Sequence, residues 1–149
     1  MVTEQMIQVY VAQLCNEIGW TPESIYDAKN NSWIFSRGSA SIEVFMTSYQ
    51  TAVKTVRTFL RCFSAILPLP ADSQKRSQLF QEALENNSKF MGVKLAVIPE
   101  KGYLYAVAER DIDGMDYEEF KSMISDLGYW ADQLDDILQT RFGSNPSLN

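Results

Sequence analysis

The chain has 149 residues, of which 46% are hydrophobic and 21% charged. This composition is typical of one globular domain that folds without disulfides or metal, and it excludes an intrinsically disordered chain. With 13 basic and 19 acidic residues the net charge is −6, which disfavours binding to nucleic acid and to anionic membranes.

The first predicted element is an amphipathic helix between Thr3 and Gly19, with Thr3 as its cap and Gly19 as its stop. Its apolar positions recur every three or four residues. They are Met6, Ile7, Tyr10, Val11, Leu14 and Ile18. Glutamines separate these positions, so the segment resembles neither a secretory signal nor a membrane span, and we expect a cytoplasmic protein.

A β-hairpin is predicted next. The apolar run Trp33-Ile34-Phe35 is followed by the turn residues Arg37-Gly38-Ser39 and then by a second apolar run from Ile42 to Met46. In the second run the side chains alternate, so that Val44 faces the core and Phe45 the opposite side.

The segment from Val53 to Leu67 fits two structures. Its apolar residues match a helical stripe, but its many Val, Thr, Phe and Ile residues also suit a long strand. Periodicity alone leans towards a helix. We predict a strand because of the family resemblance described below.

The second half of the chain contains a helix, a hairpin and a last helix. Asp72 or Ser73 can cap the first of these helices, whose predicted inner face is Leu79, Phe80, Ala83 and Leu84, and Asn86-Asn87 ends it. The hairpin strands are Val93–Ile98 and Tyr103–Ala108. A long amphipathic helix begins after Asp116, and we expect the tail 143–149 to be frayed.

The resulting order, α-β-β-β-α-β-β-α, predicts an α+β fold in which helices cover an antiparallel sheet. We find no internal repeat and no linker. The sequence therefore indicates a single domain over residues 1–142.

The residues of common catalytic sites are missing. The chain has no histidine and neither of the usual phosphate-binding glycine motifs. Its two cysteines, Cys15 and Cys62, lie in apolar segments. We therefore predict that it is not an enzyme and that it has no catalytic residues and no cofactor. An enzyme that relies on carboxylates is the most distant alternative.

Two charged segments allow a second interpretation. The acidic residues from Asp111 to Glu119 could suggest calcium, but their glycine is misplaced for an EF-hand, and Asp116 with Glu119 forms a capping-box pattern. We predict a helix cap and no metal site. The basic residues Lys54, Arg57 and Arg61 fit a solvated strand face better than an anion site.

The chain resembles the YbjN family and the related class I type III secretion chaperones. The resemblance rests on a proline-ended strand, a helix that closes on Asn86-Asn87, a hairpin, and an amphipathic last helix over Asp116–Leu138 that follows an acidic cap. It implies a type III secretion chaperone-like domain that forms a homodimer and, as in the chaperones, holds an extended segment of a client protein. The resemblance supplies no catalytic residue.

A partner-binding surface is predicted on the first three strands. We assign Ile34, Val44 and Leu60 to the core, which leaves Phe35, Phe45 and Phe59 on the opposite face as anchors for a client. The alternative is a dimeric regulatory domain that binds no client.

Overall fold

The computed structural model describes residues 2–143 of the chain. In chain order its elements are α1 (Glu4–Ile18), α2 (Pro22–Ile25), β1 (Tyr26–Asp27), β2 (Ser32–Arg37), β3 (Ala40–Gln50), β4 (Val56–Pro68), α3 (Ser73–Lys89), β5 (Lys94–Ile98), β6 (Tyr103–Asp111) and α4 (Tyr117–Phe142). The predicted α+β class is confirmed. The elements that the sequence did not indicate are α2 and β1, which are only 4 and 2 residues long.

The six strands form one antiparallel sheet in the order β1-β2-β3-β4-β6-β5. The ambiguous segment Val53–Leu67 belongs mainly to β4, so the prediction of a strand is confirmed. Because β4 lies between β3 and β6, both of its edges are hydrogen-bonded. A register shift between Ala65 and Leu67 lets the adjacent residues Ile66 and Leu67 both be buried.

The buried residues of α1, α3 and α4 form one hydrophobic core with one face of the sheet. We call this the inner face. Along β4 it presents Leu60, Cys62 and Ser64, all buried. Helix α4 approaches this face closely at Gly128, where an added Cβ would lie 3.0 Å from the Arg37 Cδ and Ile42 Cδ1 atoms.

The predicted helix caps are confirmed. The Thr3 side chain accepts a hydrogen bond from the Met6 N–H, and Gly19 ends α1 with a left-handed φ of 76°. At α4 the Asp116 side chain accepts from the Glu119 N–H, and the Glu119 side chain accepts from the Asp116 N–H. The acidic segment therefore satisfies the free amides at the start of α4.

Helix α4 also holds the β2–β3 turn. Asp132 accepts hydrogen bonds from the Ser39 N–H at 3.0 Å and from the Ser39 hydroxyl at 2.9 Å. Gly38 leaves room for this carboxylate, because an added Cβ would lie 2.5 Å from its Oδ1. These hydrogen bonds lower the pKa of Asp132.

One helix prediction is wrong in part. In α3, Leu79 and Ala83 are buried as expected, but Leu84 is 71% exposed because it lies on the side of the helix that faces away from the sheet. The helix continues to Lys89, three residues past the first asparagine of the pair that was expected to end it. Of the predicted frayed tail, residues 144–149 lie outside the described part of the chain.

Candidate partner-binding surface

The face of the sheet opposite the core, which we call the outer face, carries many aromatic and charged residues. Most of its apolar and aromatic members are half-buried, Tyr49 and Tyr103 are exposed, and none belongs to the core. The outer face includes Ile34 of β2, Glu43 and Phe45 of β3, Arg57, Phe59, Arg61 and Phe63 of β4, and Tyr105, Glu109 and Asp111 of β6.

The aromatic rings of the outer face contact one another across the strands. The ring centroids of Phe45 and Phe63 are 5.2 Å apart in an edge arrangement, and those of Phe63 and Tyr105 are 6.1 Å apart. Tyr49 and Phe59 form a separate pair at 5.6 Å. These lateral contacts partly bury the rings, although no helix packs on them in the part of the chain that the structure describes.

The basic residues of β4 lie on the outer face and pair with acids of β6. The Arg61 Nε donates to Glu109 at 2.8 Å, and its guanidinium lies 4.7 Å from the Phe63 ring centroid. Arg57 pairs with Asp111. The expected strand face is thus observed for Arg57 and Arg61, whereas Lys54 lies in the turn between β3 and β4 with a φ of 61°. The pairs leave the centre of this face without a cluster of like charges.

Tyr105 is a half-buried phenol on the outer face. Partial burial raises the pKa of its phenol, and the negative charge of Glu43 adds to the shift. The hydroxyl therefore stays protonated near neutral pH. It remains a potential hydrogen-bond donor to a partner.

The structure corrects the predicted set of anchors. Phe35 is only 3% exposed and belongs to the core, whereas Ile34 lies on the outer face. Phe35 is opposite Ile42 in the β2–β3 register, and Ile42 points towards the helices. Phe45 and Phe59 do lie on the outer face, as predicted.

The free edge of β2 is a feature that the sequence analysis missed. Because the two-residue turn makes Arg37 and Ala40 a hydrogen-bonded pair, the N–H and C=O groups of Ile34 and Ser36 point away from β3. Strand β1 pairs only with Ser32 and Trp33. Within residues 2–143, Ile34 and Ser36 therefore have no strand beside them, and the element that lies next to β2 on this side is the short helix α2.

A groove of about 450 Å³ runs along this free edge. Its lining includes Ile25, Ile34 and Ser36 together with the polar residues Ser24 and Asp27, and Trp20 contributes an aromatic wall. The Trp20 ring stacks on Phe35 at 6.4 Å, which ties this wall to the core. An extended peptide laid here would meet unpaired backbone groups and apolar side chains together.

Neither thiol is placed for chemistry. Cys15 and Cys62 are buried, as predicted, and burial raises the pKa of both thiols. Among the residues that the structure covers, no group of three or more acidic or cysteine side chains could hold a metal ion. No helix in this range is long and apolar enough to span a bilayer.

Three solved complexes contain chains of similar fold. One chain of the ExsC–ExsE complex has a TM-score of 0.65 and 11% identity, with 93% of this chain and 97% of that chain covered. One chain of the HopA1–SchA chaperone–effector complex has a TM-score of 0.61 and 10% identity, with 91% and 99% covered.

The third is the Yersinia pestis type III secretion chaperone SycH in complex with a fragment of YscM2, with a TM-score of 0.53, 15% identity, and 85% and 97% covered. No protein-family model and no curated protein matches the sequence. The secretion-chaperone part of the predicted fold is therefore confirmed, whereas the YbjN part is supported by no family model.

Proposed function

We propose that this protein is a chaperone- or adaptor-like module that holds an extended segment of a client protein and catalyses no reaction. The observation that carries the proposal is the edge of β2 without a neighbouring strand, beside a groove that Trp20, Ile25 and Ile34 help to line. The chains of similar fold, each solved in a complex, support the same class of function.

The client segment would pair with β2 as an added strand. Backbone hydrogen bonds to Ile34 and Ser36 would supply affinity that depends little on sequence, and alternate side chains would supply specificity. On one side of the added strand, apolar side chains would fill the groove at Trp20 and Ile25. On the outer face the client would continue towards Phe45 and Phe59, which remain our proposed anchors.

The charges of the outer face favour an apolar and nearly neutral segment. Two of its acids, Asp111 and Glu109, pair with Arg57 and Arg61, which leaves Glu43 without a basic partner among them. Most of the net charge of −6 therefore arises from the rest of the molecule. A strongly acidic client would be repelled as it approached.

The test is a pair of substitutions at one position of the free edge. Ser36→Pro removes the outward N–H, whereas Ser36→Ala keeps the N–H and removes only the hydroxyl. The probe is a panel of immobilised peptides with alternating apolar residues. Each peptide has about 15 residues and so spans roughly 50 Å when it is extended. We expect peptides that bind the wild type and Ser36→Ala to lose at least about tenfold in affinity for Ser36→Pro.

Hydrogen exchange locates the bound peptide. Binding should slow exchange at the amides of Ile34 and Ser36, because these would become hydrogen-bonded. Protection confined to α4, or equal binding by Ser36→Pro and Ser36→Ala, would contradict strand addition at β2. A protein that binds none of the peptides would favour the regulatory alternative.

We also propose that the protein is a homodimer. The apolar and aromatic side chains of the outer face have no helix over them within residues 2–143, and two-fold pairing is the commonest way to cover such surface. Light scattering at tens of micromolar tests this. A clean species at the monomer mass of 17.0 kDa would contradict it.

A further inference from the structure

The opposite edge of the sheet is closed by one side chain. The Leu95 N–H of β5 donates to the Asn87 Oδ1 at 2.7 Å, and the Asn87 Nδ2 donates to the Leu95 carbonyl at 3.0 Å. Both hydrogen bonds are partly buried. Asn87 belongs to the last turn of α3, and its carbonyl and that of Phe90, the residue after the helix, accept from the Lys94 ammonium at 2.8 Å each.

The Asn87 carboxamide is chemically equivalent to a peptide group. Leu95 pairs with Ala106 of β6, but its own N–H and C=O point away from β6, as alternate residues in an antiparallel strand do. A residue of an added strand would exchange two hydrogen bonds with these groups. Asn87 makes the same two bonds and so occupies the place of one residue of a seventh strand.

Little of the β5 edge is left after this contact. The strand has 5 residues, and the other residue whose backbone groups face outward is Val97, which is 37% exposed. One free residue is too little to align a strand, whereas β2 offers both Ile34 and Ser36 beside a groove. The two edges of the same sheet are therefore unequal.

We propose that Asn87 determines where this sheet accepts a strand, by closing β5 to partners and to a second copy of the chain. The closure of β5 is independent of the proposed function. Only its consequence, that a client strand is directed to β2, rests on that function. Without Asn87, β5 of one molecule would pair with β5 of another, because unpaired outward N–H and C=O groups are a template for strand addition.

The first experiment compares Asn87→Ala with Asn86→Ala. Asn86 is the neighbouring residue. Its backbone carbonyl accepts a hydrogen bond from the Phe90 N–H, and the substitution leaves this carbonyl in place. For Asn87→Ala we expect exchange at the Leu95 amide to accelerate by about tenfold or more, since one hydrogen bond is lost. We also expect the mean mass in light scattering to rise with concentration beyond that of the wild type and of Asn86→Ala.

A second variant separates edge pairing from general loss of structure. Asn87→Ala with Val97→Pro removes the remaining outward N–H of β5, and proline is tolerated there because that N–H is not bonded to β6. If edge pairing causes the association, this double variant should return to the wild-type mass. If Asn87→Ala is too unstable to purify, Asn87→Leu takes its place, because it keeps a side chain of similar size and loses both the acceptor and the donor for Leu95.

Two results would overturn the proposal. One is an Asn87→Ala protein whose Leu95 amide exchanges faster while its mass stays equal to that of the wild type at every concentration. The other is association that persists in the double variant. Neither result bears on the client at β2, which Ser36→Pro tests separately.

Discussion

The same strands form the inner and outer faces of the sheet, but the two faces have different roles. Phe35 and Phe45 both lie in the β2–β3 hairpin, yet Phe35 is 3% exposed and packs in the core, whereas the Phe45 ring lies on the outer face beside Phe63. The difference follows from strand alternation and from helices that cover one face alone. Residue type does not tell whether an aromatic side chain stabilises the fold or is available to a partner.

This comparison separates stability from binding. A buried side chain loses all its packing when truncated, and the cavity left behind adds to the cost. A half-exposed ring on the outer face loses only lateral contacts, each worth about 0.5–1.5 kcal/mol. Substitutions on the inner face should therefore lower the free energy of unfolding, and those on the outer face should lower affinity.

The largest effect is expected for Phe35→Ala. It should lower the free energy of unfolding by about 3–5 kcal/mol, because a fully buried phenylalanine is removed. Chemical denaturation measures this. Phe45→Ala is the matched control on the other face and should cost about 1 kcal/mol. If both variants lose the same free energy of unfolding, the distinction between the two faces is wrong.

The next effect concerns affinity. Phe45→Ala and Phe59→Ala should each weaken binding of a β2-dependent peptide by about 2 kcal/mol, or roughly 30-fold, because truncated anchors lose their buried contacts with the partner. Calorimetric titration measures the change. Thr47→Ala is the control, since Thr47 lies on the same face opposite Phe59. Unchanged affinity in both phenylalanine variants would remove the outer face from the binding surface.

Asp116→Ala tests the helix that covers the inner face. Loss of the capping box at the start of α4 should cost about 0.5–2 kcal/mol. Asp113→Ala, in the preceding turn, should cost less. Calcium and magnesium should leave the melting temperature of the wild type unchanged. A rise of several degrees in millimolar calcium would show that the acidic segment binds metal.

The smallest effect is a pH dependence at the β2–β3 turn. The hydrogen bonds from Ser39 lower the pKa of Asp132, so this carboxylate stabilises the fold above its unfolded pKa of about 3.9. That stabilisation is lost as the pH falls through the lower folded pKa. The melting temperature of Asp132→Asn should therefore fall less than that of the wild type between about pH 5 and 2. Asp136→Asn, on the same helix, is the control, and an equal change in both variants would contradict this role for Asp132.

The sequence by itself determined the features that depend on neighbouring residues. Thr3, Gly19 and the Asp116–Glu119 pair mark helix ends because a cap bonds to amides within three or four residues of itself. The burial of Cys15 and Cys62 follows from the apolar segments around them. The absence of histidine is a property of composition alone.

Only the tertiary structure decided which way β2 faces. Trp33, Ile34 and Phe35 are all apolar, so the strand carries no alternation, and its orientation comes from its register with β3. In the same way, the segment around β4 became a strand because β3 and β6 pair with both its edges. The free edge of β2 and the closed edge of β5 depend on contacts between separate elements. Such contacts leave no local pattern in the sequence, because they are decided by which elements meet when the chain folds.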